Sequence, residues 1–327
     1  MLLDQKNRQL LMWMSLLILP ILAWMSRSQG GLYNKPVATT LDEQQLKSML
    51  EAKEILVVGG TEGIGAELVR SLDKRGSYVT VTGADDSNVK YLPKGIHFFK
   101  GNLSTMRGAE DLVKRTLHGR TFDTVVFCGG FVPRPILTGR VENFVEDLET
   151  SYLSRFIVLK ELIKQKAFVG RKRIYLLGHP GDDPMLSQFE DMWFDWSDYK
   201  EIPRYVNTLL FNDALVKEVA KRYPDLAVFG VNPGFMSRGA ASDVLPVTKD
   251  WISFGIEHLA SLAMKSPHQY VERTLIHLIA SPDLQTKSGI YISDSMFELP
   301  MKKWFANERN REAVWDHSET LVFKALG

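Results

Sequence analysis

The sequence predicts an α/β protein, a doubly wound and mostly parallel sheet in one domain behind an apolar N-terminal helix. Three observations carry that reading. Residues 54–65, EILVVGGTEGIG, pass from an apolar strand through glycines into a helical pattern. Short apolar runs then alternate with helical periodicity as far as about residue 295. The first of those runs, Ile55 to Val58, also lacks the polar alternation of a half-exposed strand, as expected where helices cover both faces of a sheet.

The chain starts with the exception to a water-soluble composition. Leu10 to Met25, LLMWMSLLILPILAWM, carries no charge and sits between Lys6 and Arg8 on one side and Arg27 on the other. Its 16 residues approach the roughly 17–25 that a membrane span needs, with Trp13 and Trp24 placed as interfacial anchors. Pro20 does not forbid a spanning helix. A cleaved signal peptide is the alternative, but Met25-Ser26-Arg27-Ser28 offers no small-x-small cleavage site. The expectation is therefore an uncleaved single-pass anchor over residues 1–28, held in the bilayer by residues 10–25. The endoplasmic reticulum is the first expectation for that membrane and the mitochondrial inner membrane the second. Flanking positive charges nearly balance, so orientation is open.

Residues 29–52 read as a linker and a short helix, with Thr40 and Glu43 as its capping pair and its end near Met49. The main domain then occupies residues 53–327. Ile55–Val58 is its first strand, followed by a helix from Ile64 to Gly76. Strands follow at Tyr78–Thr82 and Ile96–Phe99, then a helix to about His118 and a strand at Thr124–Phe127. Val141 to Lys166 reads as one long helix and Arg173–Leu177 as a strand. An irregular insert at 178–203 precedes a helix from Tyr205 to Arg222 and a strand at Leu226–Val231. Helices near Asp250–Met264 and Val271–Ala280 and a strand at Gly289–Ile292 complete the pattern.

Composition excludes some partners. With 40 basic and 39 acidic residues intermixed and a net charge of +1, nothing provides an electrostatic footprint for nucleic acid. The single cysteine, Cys128, rules out an intrachain disulfide and reads as a small core residue at a strand end. No metal site is expected.

The chemistry begins at Gly59, Gly63 and Gly65. A strand, a glycine turn and a helix in that order place backbone N–H groups and the positive end of the helix where a pyrophosphate can sit. Glycine is required because a Cβ would keep the ligand from the backbone.

The spacing G-x-x-x-G-x-G, with Val58-Gly59-Gly60-Thr61-Glu62-Gly63-Ile64-Gly65 over T-G-x-x-x-G-I-G, resembles the fingerprint of the short-chain dehydrogenase/reductase family. The resemblance extends over roughly residues 53–325. Phe127-Cys128-Gly129-Gly130 stands where that family has N-N-A-G. Asn102-Leu103 stands where an Asp-Val pair lines the adenine pocket, and Asn232-Pro233-Gly234 matches a P-G motif. Arg311 to Leu321 is similar to a C-terminal tail of several branches.

This resemblance implies a Rossmann-like fold holding NAD(P) on Gly59, Thr61, Gly63, Ile64, Gly65, Asp85, Asn102, Leu103, Gly129, Gly130, Pro233 and Gly234. It also implies hydride transfer between the nicotinamide and a carbonyl or alcohol, with a tyrosine as acid/base. An ordinary phenol has a pKa of about 10 and needs a neighbouring cation to act near neutrality. The family's lysine, four residues on, supplies that charge from the same helix face. Counting back from Pro233, the tyrosine falls on Tyr205, and Phe211-Asn212 matches a branch sequence beyond it. The lysine position holds Leu209, the serine position falls on Gly178-His179, and the asparagine position falls on Ser151. Three of the four groups are replaced.

Each position has a second reading. Tyr205 is either the acid/base or an interfacial residue at a helix start. His179 is a general acid or substrate donor, or a loop histidine before Pro180-Gly181. Ser151 holds a water or serves as a capping hydroxyl. In the insert, DDPMLSQFEDMWFDWSDY combines six acids with Trp193, Phe194 and Trp196, which gives a lid over an apolar substrate or a surface loop whose aromatics cap the core. Glu62 and Asp85 would repel a 2′-phosphate, which favours NAD(H). Two function classes follow. One is a membrane-anchored oxidoreductase for a small apolar carbonyl or alcohol. The other is a catalytically inactive relative, cofactor-binding or structural, acting as an accessory subunit of a membrane complex. A homo-oligomer or a membrane-complex partner is compatible with either.

Overall fold

The first strand, β1 (Glu54–Val58), is apolar at every position after Glu54 because it lies between two covering layers. Leu56 and Val58 face one apolar cluster, while Ile55 and Val57 face the other, as the two-residue period of a strand requires. This computed structural model describes residues 35–129, 140–141, 144–145, 148–178, 201–234, 236 and 265–327. Residues 10–25, His179, Gly130, the aromatic insert and the expected helix at 250–264 lie outside the described residues. Among the described residues no helix is long and apolar enough to cross a membrane.

After β1 the chain forms α2 (Gly63–Lys74), β2 (Tyr78–Gly83) and β3 (His97–Lys100), preceded by α1 (Glu43–Leu50). It then forms α3 (Met106–Asp111), a π-turn over Leu112–Thr116, and β4 (Phe122–Phe127). A small hairpin of β5 (Arg140–Val141) and β6 (Phe144–Val145) follows. A π-turn over Glu149–Leu153 leads into α4 (Ser154–Lys164), β7 (Phe168–Leu177), α5 (Glu201–Arg222) and β8 (Ala227–Val231). The last third holds α6 (Pro267–Tyr270), a π-turn over Val271–Leu275, α7 (Ile276–Ala280), β9 (Ile290–Ile292), β10 (Glu298–Leu299), α8 (Lys303–Ala306) and α9 (Glu308–Leu326).

The main sheet has eight strands in the order β10-β9-β8-β7-β4-β1-β2-β3. All neighbours pair in parallel except β10, which runs antiparallel to β9. From β1 the chain winds outward to β2 and β3, then returns to β4 on the other side of β1. The C-terminal ends of β1 and β4 therefore flank the switch point, where open parallel sheets bind ligands.

Several sequence expectations need correction. Residues 140–145 contribute two short strands, so the expected Val141–Lys166 helix starts only near Leu148 and ends at Lys164. Val141, Phe144, Val145 and Leu148 mimic a helical stripe, but the first three belong to the hairpin. α1 is capped by Asp42 rather than Thr40, with the Asp42 carboxylate accepting from Gln45 N and the Gln45 carboxamide accepting from Asp42 N. The end of the expected linker is docked: Val37 and Ala38 are buried, and Val37 N donates to Met296 O at 2.7 Å. The tail around Arg311 to Leu321 belongs to the 19-residue helix α9, which lays Trp315 edge-on against Phe156 of α4.

Candidate active site at the switch point

The glycine turn is shaped by contacts that no side chain would permit. Gly59 has φ +78°, and a Cβ there would lie 2.4 Å from Gly129 Cα. A Cβ on Gly65 would lie 2.2 Å from Gly59 O, so α2 packs directly on the turn. The N–H groups of Gly59 and Gly60 both donate to Thr82 O, at 3.0 and 3.1 Å, which ties the turn to β2. Thr61 covers Gly83 at the end of β2, where a Cβ would meet its Cγ2 at 2.5 Å.

Gly63 differs from these. Its φ is +55°, and among the described residues a Cβ would meet nothing within 4 Å. It therefore opens α2 beside free space, and Glu62 in the cap position makes no side-chain hydrogen bond to the first turn. An uncapped helix N-terminus facing open space beside a tight glycine turn fits a dinucleotide pyrophosphate. Gly59, Thr61, Gly63, Ile64, Gly65 and Gly129 thus share one corner of the fold.

The other expected cofactor residues flank it. Asp85 follows β2 and accepts the backbone N–H and hydroxyl of Ser87, bonds that hold its carboxyl below the usual carboxylate range. Asn102 is engaged with Ser104, whose N–H and hydroxyl it accepts at 3.0 and 2.7 Å, while Leu103 packs against the larger apolar cluster. After β8, Asn232 Oδ1 accepts Gly234 N at 2.9 Å and fixes the turn through Pro233, with Gly234 at φ +73°.

Of the expected catalytic residues, Tyr205 lies on α5, near its N-terminal end. Ser151 is buried in the π-turn before α4, and its backbone carbonyl accepts Asn212 Nδ2 at 3.0 Å. Asn212 lies seven residues after Tyr205 on α5, which places both Cα atoms on one helix face. Burial pushes the Cys128 thiol up to about 12, against a smaller opposing effect of Arg155, so the thiol is protonated at neutral pH.

The sequence reading missed Arg155. It rises from α4, almost wholly buried, to the C-terminal ends of the two strands beside the crevice. Its Nη2 donates to Gly129 O at 2.6 Å, and its Nη1 donates to Leu177 O at 2.7 Å and to Asn212 Oδ1 at 3.1 Å. One guanidinium thus joins β4, β7, α4 and α5 and leaves a fixed positive charge at the strand ends. A lone arginine on an apolar helix reads in sequence as a snorkelling surface residue; only the strand order shows its partners.

No known family profile matches the chain. It is 27% identical to an uncharacterised oxidoreductase of Saccharomyces cerevisiae over 83% of this chain and 88% of that protein. An oxidoreductase of Penicillium decumbens is 24% identical over 91% of this chain and 95% of its own length. Among solved structures, a short-chain dehydrogenase of Salmonella enterica serovar Typhi superposes with a TM-score of 0.58 at 16% identity, over 78% of this chain and 99% of that one. A Shigella flexneri protein described as a short-chain dehydrogenase, solved with NADP, superposes with a TM-score of 0.55 at 15% identity, over 75% of this chain and 98% of that one. The chain is thus similar to oxidoreductases along most of its length and shares the fold of short-chain dehydrogenases. In this fold the glycine corner lies at the β1–β4 switch point, with Arg155 bracing the strand ends beside it and reaching α5.

Proposed function

We propose that this protein is a nicotinamide-dependent oxidoreductase that transfers hydride between the cofactor and a small apolar carbonyl or alcohol. The observation that carries the reading is the N-terminus of α2, without a side-chain cap and with no described residue within 4 Å of a Cβ on Gly63, beside the Gly59–Gly129 contact. The names of its relatives as oxidoreductases support it. The glycine turn would hold the pyrophosphate, and the bound cofactor would supply or accept the hydride. Asp85 would accept from ribose hydroxyls, and as a carboxylate it favours NAD(H) over NADP(H).

Tyr205 serves as acid/base in this reading, with His179 as a second donor to the substrate oxygen and Ser151 holding a water. Leu209 supplies no charge, so the lysine that would favour an ionised phenol is missing from its usual place. An ordinary phenol needs roughly 4 kcal/mol to ionise at neutrality. Alcohol oxidation should therefore run best at alkaline pH. Residues 10–25 anchor the domain to a membrane in this proposal, the endoplasmic reticulum before the mitochondrial inner membrane, where an apolar substrate would partition.

Leu209 also favours the second reading, an inactive cofactor-binding or structural subunit of a membrane complex. Titrating the full chain with NADH and NADPH by fluorescence, then assaying Tyr205→Phe against apolar carbonyls, separates the two. Saturable binding with turnover lost in Tyr205→Phe supports the enzyme. Binding without turnover points to the accessory subunit, and no binding of either nucleotide removes hydride transfer.

A further inference from the structure

A second cavity lies at the opposite ends of the same strands. Five residues of β1, each rising about 3.3 Å, separate it from the glycine turn. It encloses about 390 Å³ and is lined by Lys53, Asp123, Gly170, Arg171, Arg173 and Gln285. Three of these side chains are cationic and one is anionic, which leaves a formal charge of +2. The carboxylate is already engaged: Asp123 accepts Glu54 N at 3.1 Å and pairs with Lys53 at 3.9 Å.

The two arginines have no such partner. Among the described residues neither forms an ion pair, although Arg173 is buried and Arg171 partly so. Arg173 Nη1 donates to Ile279 O at 3.0 Å. Arg171 Nη1 donates to Ala280 O at 2.9 Å, and its Nη2 rests on Met49 Sδ at 3.0 Å. A thioether is a weak acceptor for a charged donor. Burial first, and the like charge of Arg173 second, disfavour the charged form of Arg171. Arg173 also hydrogen-bonds the Tyr175 hydroxyl; with five N–H groups on a guanidinium, both forks still keep donors beyond these contacts.

The backbone here is distorted in a way that sets the pair. Pairing of β4 with β7 jumps from Phe122↔Phe168 to Thr124↔Arg173, so residues 169–172 bulge. Gly170 and Lys172 have φ of +55° and +49°, and the lysine occupies a left-handed conformation that costs a non-glycine residue roughly 1–2 kcal/mol. A Cβ on Gly170 would lie 2.0 Å from Asp123 Oδ1. Strained backbone of this kind concentrates where a ligand is held. The carbonyls of Ile279 and Ala280, at the negative end of α7, make the cations tolerable but do not neutralise them.

We propose that this cavity binds a small dianion of the phosphate-monoester class, at a site separate from the dinucleotide crevice. Two forked guanidiniums on alternate residues of one strand, with Lys53 across the cavity, match the charge and the oxygen geometry of a phosphate dianion. The cavity volume admits a ligand larger than phosphate alone.

The test is thermal unfolding of the full chain at constant ionic strength with increasing inorganic phosphate, with succinate and chloride as comparisons. Three proteins are measured: wild type, Arg171→Gln, and Gln285→Glu, which places an acid at the exposed rim and leaves the arginine contacts intact. Phosphate should raise the wild-type midpoint saturably by several degrees. Both variants should need at least tenfold more phosphate for the same rise. Any phosphate held at the glycine turn is common to all three and cancels. An unsaturating rise, or the same response in wild type and Gln285→Glu, overturns the proposal. An equal response to succinate overturns the assignment to phosphate.

Discussion

Gly59 and Gly129 meet backbone to backbone at the C-terminal ends of β1 and β4, and a Cβ on Gly59 would come within 2.4 Å of the Gly129 Cα. A Cβ on Gly129 would meet Gly59 Cα at 3.2 Å, a tight contact but a milder one, so Gly59 is the position that cannot carry a side chain here. The contact narrows the floor of the crevice and leaves Gly63, one turn away, facing open space.

Gly59 and Gly63 should therefore behave differently when replaced. Gly59→Ala combines a left-handed φ with a backbone clash, and should cost about 3 kcal/mol or more. Gly63→Ala meets only the φ penalty, about 1 kcal/mol, but sets a methyl where the pyrophosphate would lie. Urea denaturation with NADH titration checks both. The site assignment fails if Gly63→Ala binds NADH as tightly as wild type.

Arg155→Met leaves the carbonyls of Gly129 and Leu177 and the Oδ1 of Asn212 without their donor. Breaking a buried charged network in this way typically costs about 3–5 kcal/mol. Arg155→Lys keeps the charge without the fork and should lose less. Arg107→Met, at an exposed pair with Glu110, is the control and should stay within about 0.5 kcal/mol of wild type. If Arg155→Met unfolds at the same denaturant concentration as Arg107→Met, the brace does not stabilise the site wall.

What the sequence could show divides along a physical line. β1, β4 and β8 were legible because an unalternating apolar run fits a strand covered on both faces. The glycine turn was legible because its spacing answers to local backbone geometry. The hairpin at 140–145 was not, because its apolar residues fall at intervals that also fit a helix, and pairing to a two-residue strand leaves no local mark. Arg155 and the Arg171–Arg173 pair were missed for a related reason. Both become informative only when strand order brings the ends of β4 and β7, or β7 and α7, to the same place.

Stability should fall in mild acid, in part through His277. Its Nδ1 accepts Leu41 N at 3.1 Å, and its Nε2 lies 3.1 Å from Glu272 O, so the neutral ring suits the site. Burial first, with Arg75 also opposing the charge, depresses its pKa against the opposite pull of Glu272 and Glu43. An unfolded histidine takes its proton near about pH 6.5. The contribution is therefore complete above that pH and is lost as pH falls through the lower folded value. His317, partly buried, is shifted in the same direction, first by that burial and then by Lys324. His277→Gln should flatten, without abolishing, the loss of stability between about pH 6.5 and 5. Unfolding measured at a series of pH values reads this directly, and equal slopes in the two proteins would remove His277 from the account.

Tyr152 and Ser318 fasten α9 to the domain. Their hydroxyls lie 2.8 Å apart in the core, and Ser318 also donates to Val314 O at 2.7 Å. Burial raises the Tyr152 phenol well above its usual range, only partly offset by Ser318, so it remains protonated and takes no part in acid/base chemistry. Tyr152→Phe keeps the ring contact with Phe211, at 5.3 Å between centroids, and removes one hydrogen bond. It should cost about 1 kcal/mol and leave NADH binding unchanged. Ser318→Ala should cost a similar amount, and the double variant less than the sum of the two, because each single change already breaks the shared bond. Additive losses in that double-mutant cycle would mean that the two hydroxyls are not coupled, and that α9 is held by its other contacts, the packing of Trp315 and the Lys160–Glu319 and Lys221–Glu312 pairs among them.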